Sequence, residues 1–138
     1  MESNIAKISF SITSGAEESF SDINPISKLT IGKFKLEYEG DLEGESVLTE
    51  LRHYRHKSSA SIYGLELVTG VINGRHGSFV VEHKGEFENG ITNSLRTIVP
   101  GSGTDELKGV TGNYAISSGS QEKYDAVMEY TFGTVAAV

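Results

Sequence analysis

Apolar and polar residues alternate over most of the chain, beginning at "KISFSIT", where Ile8, Phe10 and Ile12 interleave with Lys7, Ser9 and Ser11. A period of two puts successive side chains on opposite faces, so this segment predicts a strand with one apolar face. Residues 14 to 27 are small and polar and contain Asn24-Pro25, which predicts a loop. "KLTIGKFKLEYEG" predicts a second strand. Its apolar phase moves from Leu29 and Ile31 to Phe34, Leu36 and Tyr38, and Gly32 at the change predicts a β-bulge there. In "GESVLTELRHYRHK", Val47, Leu48, Leu51 and Tyr54 fit a helix as well as a strand, and the glycine-rich flanks favour the strand.

From residue 60 onward the pattern sharpens. "SIYGLELVTGVINGRHGSFVVEHKGEFENGITNSLRTIV" reads as three strands separated by two Asn-Gly pairs. Asn-Gly between alternating runs is a strong hairpin signal, because both central residues of a type I′ turn need positive φ. Further strands are predicted around "VTGNYAIS" and "YDAVMEYTF"; the latter puts Tyr124, Ala126, Met128, Tyr130 and Phe132 on one face. About eight antiparallel strands at even spacing predict an all-β barrel or sandwich. The length suits one domain across residues 1–138.

Composition narrows the partners. The net charge is −7, which repels nucleic acid and anionic lipid at long range, so neither is an expected partner. There is no cysteine, which excludes disulfides and thiolate sites. "MESNIAKISFS" has no basic region followed by an apolar run, so a soluble, cytoplasmic protein is expected.

"VPGSGTDELKGVTG" first suggests a phosphate-binding loop. A P-loop needs a glycine five positions after the first, followed by Lys and Ser or Thr, but Glu106 stands five positions after Gly101. No amphipathic helix follows, and Asp105 and Glu106 oppose an anion. The stretch predicts a turn between strands, and no cofactor is expected.

The hairpins also place chemistry. With a two-residue turn at Asn73-Gly74, Val68 faces Phe79, Glu66 faces Val81 and Gly64 faces His83; with another at Asn89-Gly90, Val81 faces Ile98 and His83 faces Arg96. Paired residues share a face, and this face carries Ile62, Val68, Phe79, Val81, Phe87 and Ile98, so it is the inner one. Glu66, His83 and Arg96 therefore converge inside. They could anchor a ligand, with Arg96 on a carboxylate or hydroxyl and His83 or Glu66 moving a proton. They could equally form a self-satisfied buried network in which Arg96 balances Glu66. "RHYRHK" (52–57) reads as a solvated strand end, with His53 and His56 on opposite faces of a strand. No nucleophile motif is present.

Around "YGLELVTGVINGRHGSFVVEHKGEF" and "GSGTDELKGVTG" the chain resembles an uncharacterised family of small bacterial proteins, known as a domain of unknown function. The likeness rests on Gly40-Asp41-Leu42-Glu43-Gly44-Glu45-Ser46, Gly74-Arg75, Gly77-Ser78-Phe79, His83, Pro100-Gly101-Ser102-Gly103-Thr104, Leu107, Gly109, Tyr124 and Tyr130. One position departs: a histidine is expected just before Tyr124, where this chain has Glu122-Lys123. The resemblance implies the eight-stranded barrel of allene oxide cyclase and the dirigent proteins, with a central cavity and assembly into homo-oligomers. The outer face of the last strand, where Val127 lies among Asp125, Glu129 and Thr131, is one expected assembly surface. The expected function is binding of a small, mainly apolar molecule in the barrel interior, with Glu66, His83 and Arg96 as polar contacts. The alternatives are an isomerase or cyclase in the same cavity, or a filled barrel serving as an interaction module.

Overall fold

The computed structural model describes residues 3–133. Eight strands follow in chain order: β1 (Asn4–Asp22), β2 (Lys28–Gly40), β3 (Leu42–His56), β4 (Ser59–Ile72), β5 (Arg75–Glu88), β6 (Ile91–Ile98), β7 (Val110–Ser118) and β8 (Tyr124–Phe132). Each pairs antiparallel with the next, and β8 returns to β1, closing a barrel. Closure removes the free sheet edges along which such strands would otherwise add a neighbour.

Turn chemistry sets the register. Asn73 and Gly74 have φ of 45° and 88°, and Asn89 and Gly90 have 49° and 86°, so both pairs form the two-residue turns read from the sequence. Val68 pairs with Phe79, Glu66 with Val81 and Gly64 with His83 on β4–β5, and His83 pairs with Arg96 on β5–β6.

Two local expectations are corrected. Residues 14 to 22 are not loop: β1 runs to Asp22, and only residues 23–27 leave the ladder. The shift of phase does not lie at Gly32 either. Even-numbered residues of β2 face inward throughout, and the bulge lies on β1 between Ile12 and Ser14, so that Gly15 and Glu17 take the inner face beyond it. The cause is the same for both. At this end the barrel interior carries polar side chains: Thr30 and Glu17 point in and bond to each other, while Leu29 and Ile31 lie half-exposed outside. Gly32 serves a neighbour instead: a Cβ there would lie 2.5 Å from the Phe34 ring, which folds back over it.

The two ends differ. The end bearing the β2–β3 and β4–β5 turns is closed. There Leu42, Ile72, Leu107 and Val110 are fully buried, and Asn73 Nδ2 donates to Tyr130 Oη at 2.6 Å. Leu107 comes from the glycine loop 99–109, which contains a single 3-10 turn, Asp105–Leu107. β6 stops pairing with β5 at Val81, and this loop satisfies what it leaves: Thr104 N donates to Ser78 O, Ser78 N to Thr104 Oγ1, and Val80 N to Ser102 Oγ. The loop has five of its amides, those of Val99, Ser102, Thr104, Leu107 and Lys108, bonded to backbone carbonyls of the protein. Its glycines are needed because the backbone packs against itself, with Gly103 on the Leu107 carbonyl and Gly77 on that of Thr104.

Candidate functional site

Midway along the barrel, β4, β5 and β6 point Glu66, His83 and Arg96 inward as the register requires, and all three are buried. Their partners differ from expectation. Glu66 is matched by His83, whose Nε2 donates to Glu66 Oε1 at 2.7 Å. Its other oxygen accepts from Tyr38 Oη at 2.6 Å and Ser46 Oγ at 2.5 Å. A hydroxyl has one proton, so Tyr38, donating to Glu66, must accept from Tyr114 across their 3.1 Å contact. The result is a chain, Tyr114 to Tyr38 to Glu66, with Ser46 and His83 as further donors. Burial would push the Glu66 carboxyl up, but the hydrogen bond and charge of His83 and the bonds from Ser46 and Tyr38 hold it below its ordinary value. Burial pushes the Tyr38 phenol well above its usual value and Tyr114 up to about 12, so both stay neutral donors.

Arg96 does not serve as the counter-charge of Glu66. Among the described residues it joins no ion pair. The aromatic layer intervenes: the guanidinium carbon lies 5.0 Å from the Phe10 ring centre and 5.9 Å from that of Tyr114. Nε reaches Ser94 Oγ only at 3.5 Å, and Nη1 is buried with no hydrogen-bond partner. Burial lowers the affinity of the guanidinium for its proton, but Tyr114, Tyr38 and Glu66 together raise it above the ordinary value, so Arg96 stays cationic.

Arg96 belongs to a cavity of about 330 Å³ that opens at the end carrying the β5–β6 and β7–β8 turns. Phe10, Phe34, Leu36, Leu48, Phe87, Ile116 and Tyr124 form much of the wall. Glu66 and His83 do not reach it; they are 0% and 1% exposed behind it. At the mouth, Arg52 Nε donates to Glu50 Oε1 at 2.7 Å and the guanidinium lies 5.7 Å from the Phe87 ring centre. Glu17 accepts from Thr30 at 2.6 Å and from Tyr54 at 3.2 Å.

These rim residues escaped the sequence reading, which took "RHYRHK" as a solvated strand end. The usable signal was parity: Leu42, Ser46, Leu48, Glu50 and Arg52 share one phase of β3, and Leu48 and Leu42 mark it as inner. Tyr38, Ser46 and Tyr114 were also missed, because no Asn-Gly turn fixes their strands. His53 and His56 do not take opposite faces. A bulge between Tyr54 and His56 puts both on the outer face, opposite Ser61 and Ser59. Among the described residues no group of three or more His, Asp or Glu is placed to hold a metal.

The family model "Protein of unknown function (DUF3224)" matches residues 6–131. A crystal structure of a DUF3224 protein of unknown function from Shewanella oneidensis MR-1 superposes with a TM-score of 0.82 at 26% identity, covering 96% of this chain and 100% of that one. No curated protein matches.

Proposed function

We propose that this chain, which belongs to the DUF3224 family of proteins of unknown function, binds a small, mainly apolar molecule in the open half of its barrel and works as a homo-oligomer. The observation that carries the reading is a cavity walled by aromatic and aliphatic side chains in its interior, with a cationic arginine, Arg96, among its lining residues. A cation at the wall of such a cavity, joined to no carboxylate in an ion pair, is stabilised by a bound polar or anionic group. Arg96 is the direct polar contact. Glu66 and His83 act behind it, Glu66 fixing Tyr38 and, through it, Tyr114, against which the arginine rests. A binding role is favoured over an isomerase because Glu66 and His83 lie behind the cavity wall, and the carboxylates that do line it, Glu17 and Glu50, already hold Thr30, Tyr54 and Arg52.

The test is a titration with a small, neutral, environment-sensitive fluorophore such as 1-aminonaphthalene, on the wild type and on Thr92→Trp. Thr92 lines the cavity near its mouth, and an indole there fills the space. Saturable binding by the wild type, lost in a Thr92→Trp protein with an unchanged circular dichroism spectrum, is expected. Equal dye binding by both would place the binding elsewhere and end the proposal.

A further inference from the structure

We infer that the ligand of this cavity is a small monoanion with an apolar tail, bound head first with its carboxylate on Arg96; this rests on the cavity being a binding site at all. The charges facing the cavity decide the sign. At the mouth, Arg52 is neutralised by Glu50 at 2.7 Å, and Glu17 is solvated and bonded to Thr30 and Tyr54. In the interior, Arg96 is the cation, and its nearest carboxylate, Glu66, already holds His83, Tyr38 and Ser46. A neutral hydroxyl could accept one hydrogen bond from the guanidinium but would leave its charge uncompensated, whereas a carboxylate matches its fork and its sign.

The remaining chemistry sets the tail. Besides Arg96 the wall carries Phe34, Leu36, Leu48, Phe87 and Ile116, which offer no donor, together with the hydroxyl residues Thr92 and Ser118. A cavity of about 330 Å³ holds on the order of ten water-sized groups at ~30 Å³ each, the size of a medium-chain carboxylate. Glu17 at the lip selects against a second negative charge at the far end of the ligand.

Calorimetric titrations of the intact protein at pH 7 with octanoate, 1-octanol and suberate test this directly. Octanoate is expected to bind about tenfold or more tightly than either 1-octanol or suberate. Arg96→Leu should lower octanoate affinity about tenfold or more and lower that of 1-octanol by less, removing the preference for the carboxylate. 1-Octanol binding as tightly as octanoate to the wild type would overturn the inference while leaving the cavity reading intact, and that comparison needs no variant. Suberate matching octanoate would remove the monoanion and head-first assignment. If the dye binds in the cavity but octanoate does not, the inference fails alone; if neither binds, both fail.

Discussion

His83 and Arg96 face each other across one rung of the barrel yet do different physical work. His83 is locked on a carboxylate with no access to water, so His83→Leu leaves Glu66 as a buried charge with two neutral donors. Removing one partner of such a pair costs ~3–5 kcal/mol. At ~2–4 °C per kcal/mol for a chain near this length, the melting temperature should fall on the order of 10 °C. Arg96→Leu removes a cation with no ion-pair partner and should move it far less, and differential scanning calorimetry of the two variants separates them. Equal losses would mean that Arg96 does balance Glu66. A pH dependence follows from the same carboxylate. Its native value is depressed, so the unfolded chain binds more protons than the native one in the window just below the ordinary carboxyl value of 4.5. Stability from this group is therefore full above that value and lost as pH falls through the native one, at up to ~1.4 kcal/mol per pH unit. Glu66→Gln should flatten this part of the acid limb in urea melts taken between pH 5 and 3. An unchanged limb would assign acid sensitivity to other carboxylates.

At the scale of the elements, the loop 99–109 is a plug that ends the barrel and supplies hydrogen bonds that β6 is too short to give. Gly103 is its tightest point: an added Cβ would fall on the carbonyl oxygen of Leu107, which is backbone and cannot swing away. Gly103→Ala must therefore lift the loop, expose Leu107 and weaken the bonds at Ser78 and Val80. Overpacking of this kind costs ~1–3 kcal/mol. Amide exchange should quicken at Ser78 and Val80 while Val81 and His83, held on both sides by β4 and β6, keep their protection. Uniform loss of protection would show that the loop is integral to global folding rather than a local plug. The hairpins explain why the inner triad was legible in the sequence. Two Asn-Gly turns fix three strands, so Glu66, His83 and Arg96 followed by counting. Tyr38, Ser46 and Tyr114 lie on strands whose connections carry no such signature, and the bulge on β1 is visible only against its partner β2. Near the mouth the usual rule of apolar inside fails, because Glu17, Thr30, Glu50, Arg52 and Tyr54 bond to one another there. That is why polar residues 14 to 22 read as loop and Arg52 as surface.

For the whole molecule, the outer surface decides how barrels meet. Val127 is exposed on β8, diagonal to Ile5, but the larger apolar group lies on β3 and β4, where Val47 pairs with Leu67 and Leu51 with Tyr63, and Leu65 sits between. All five are 45% exposed or more. Leu51, Tyr63 and Leu65 line a groove of about 320 Å³ bordered by Glu82 and Lys84 of β5. A two-fold contact across this face would bury the apolar centre against itself, as an isologous dimer requires, with Glu82 and Lys84, paired within each protomer at 3.5 Å, at its border. It would leave the cavity mouth free, because the outer face of the sheet and the end of the barrel do not overlap. The expected outcome is a wild type that sediments as an oligomer at micromolar concentration. Leu65→Glu should sediment as a monomer and still bind octanoate, since Leu65 points away from the cavity. A wild-type monomer at high micromolar concentration would remove the assembly. An oligomer unaffected by Leu65→Glu but dissociated by Val127→Glu would move the interface to β8.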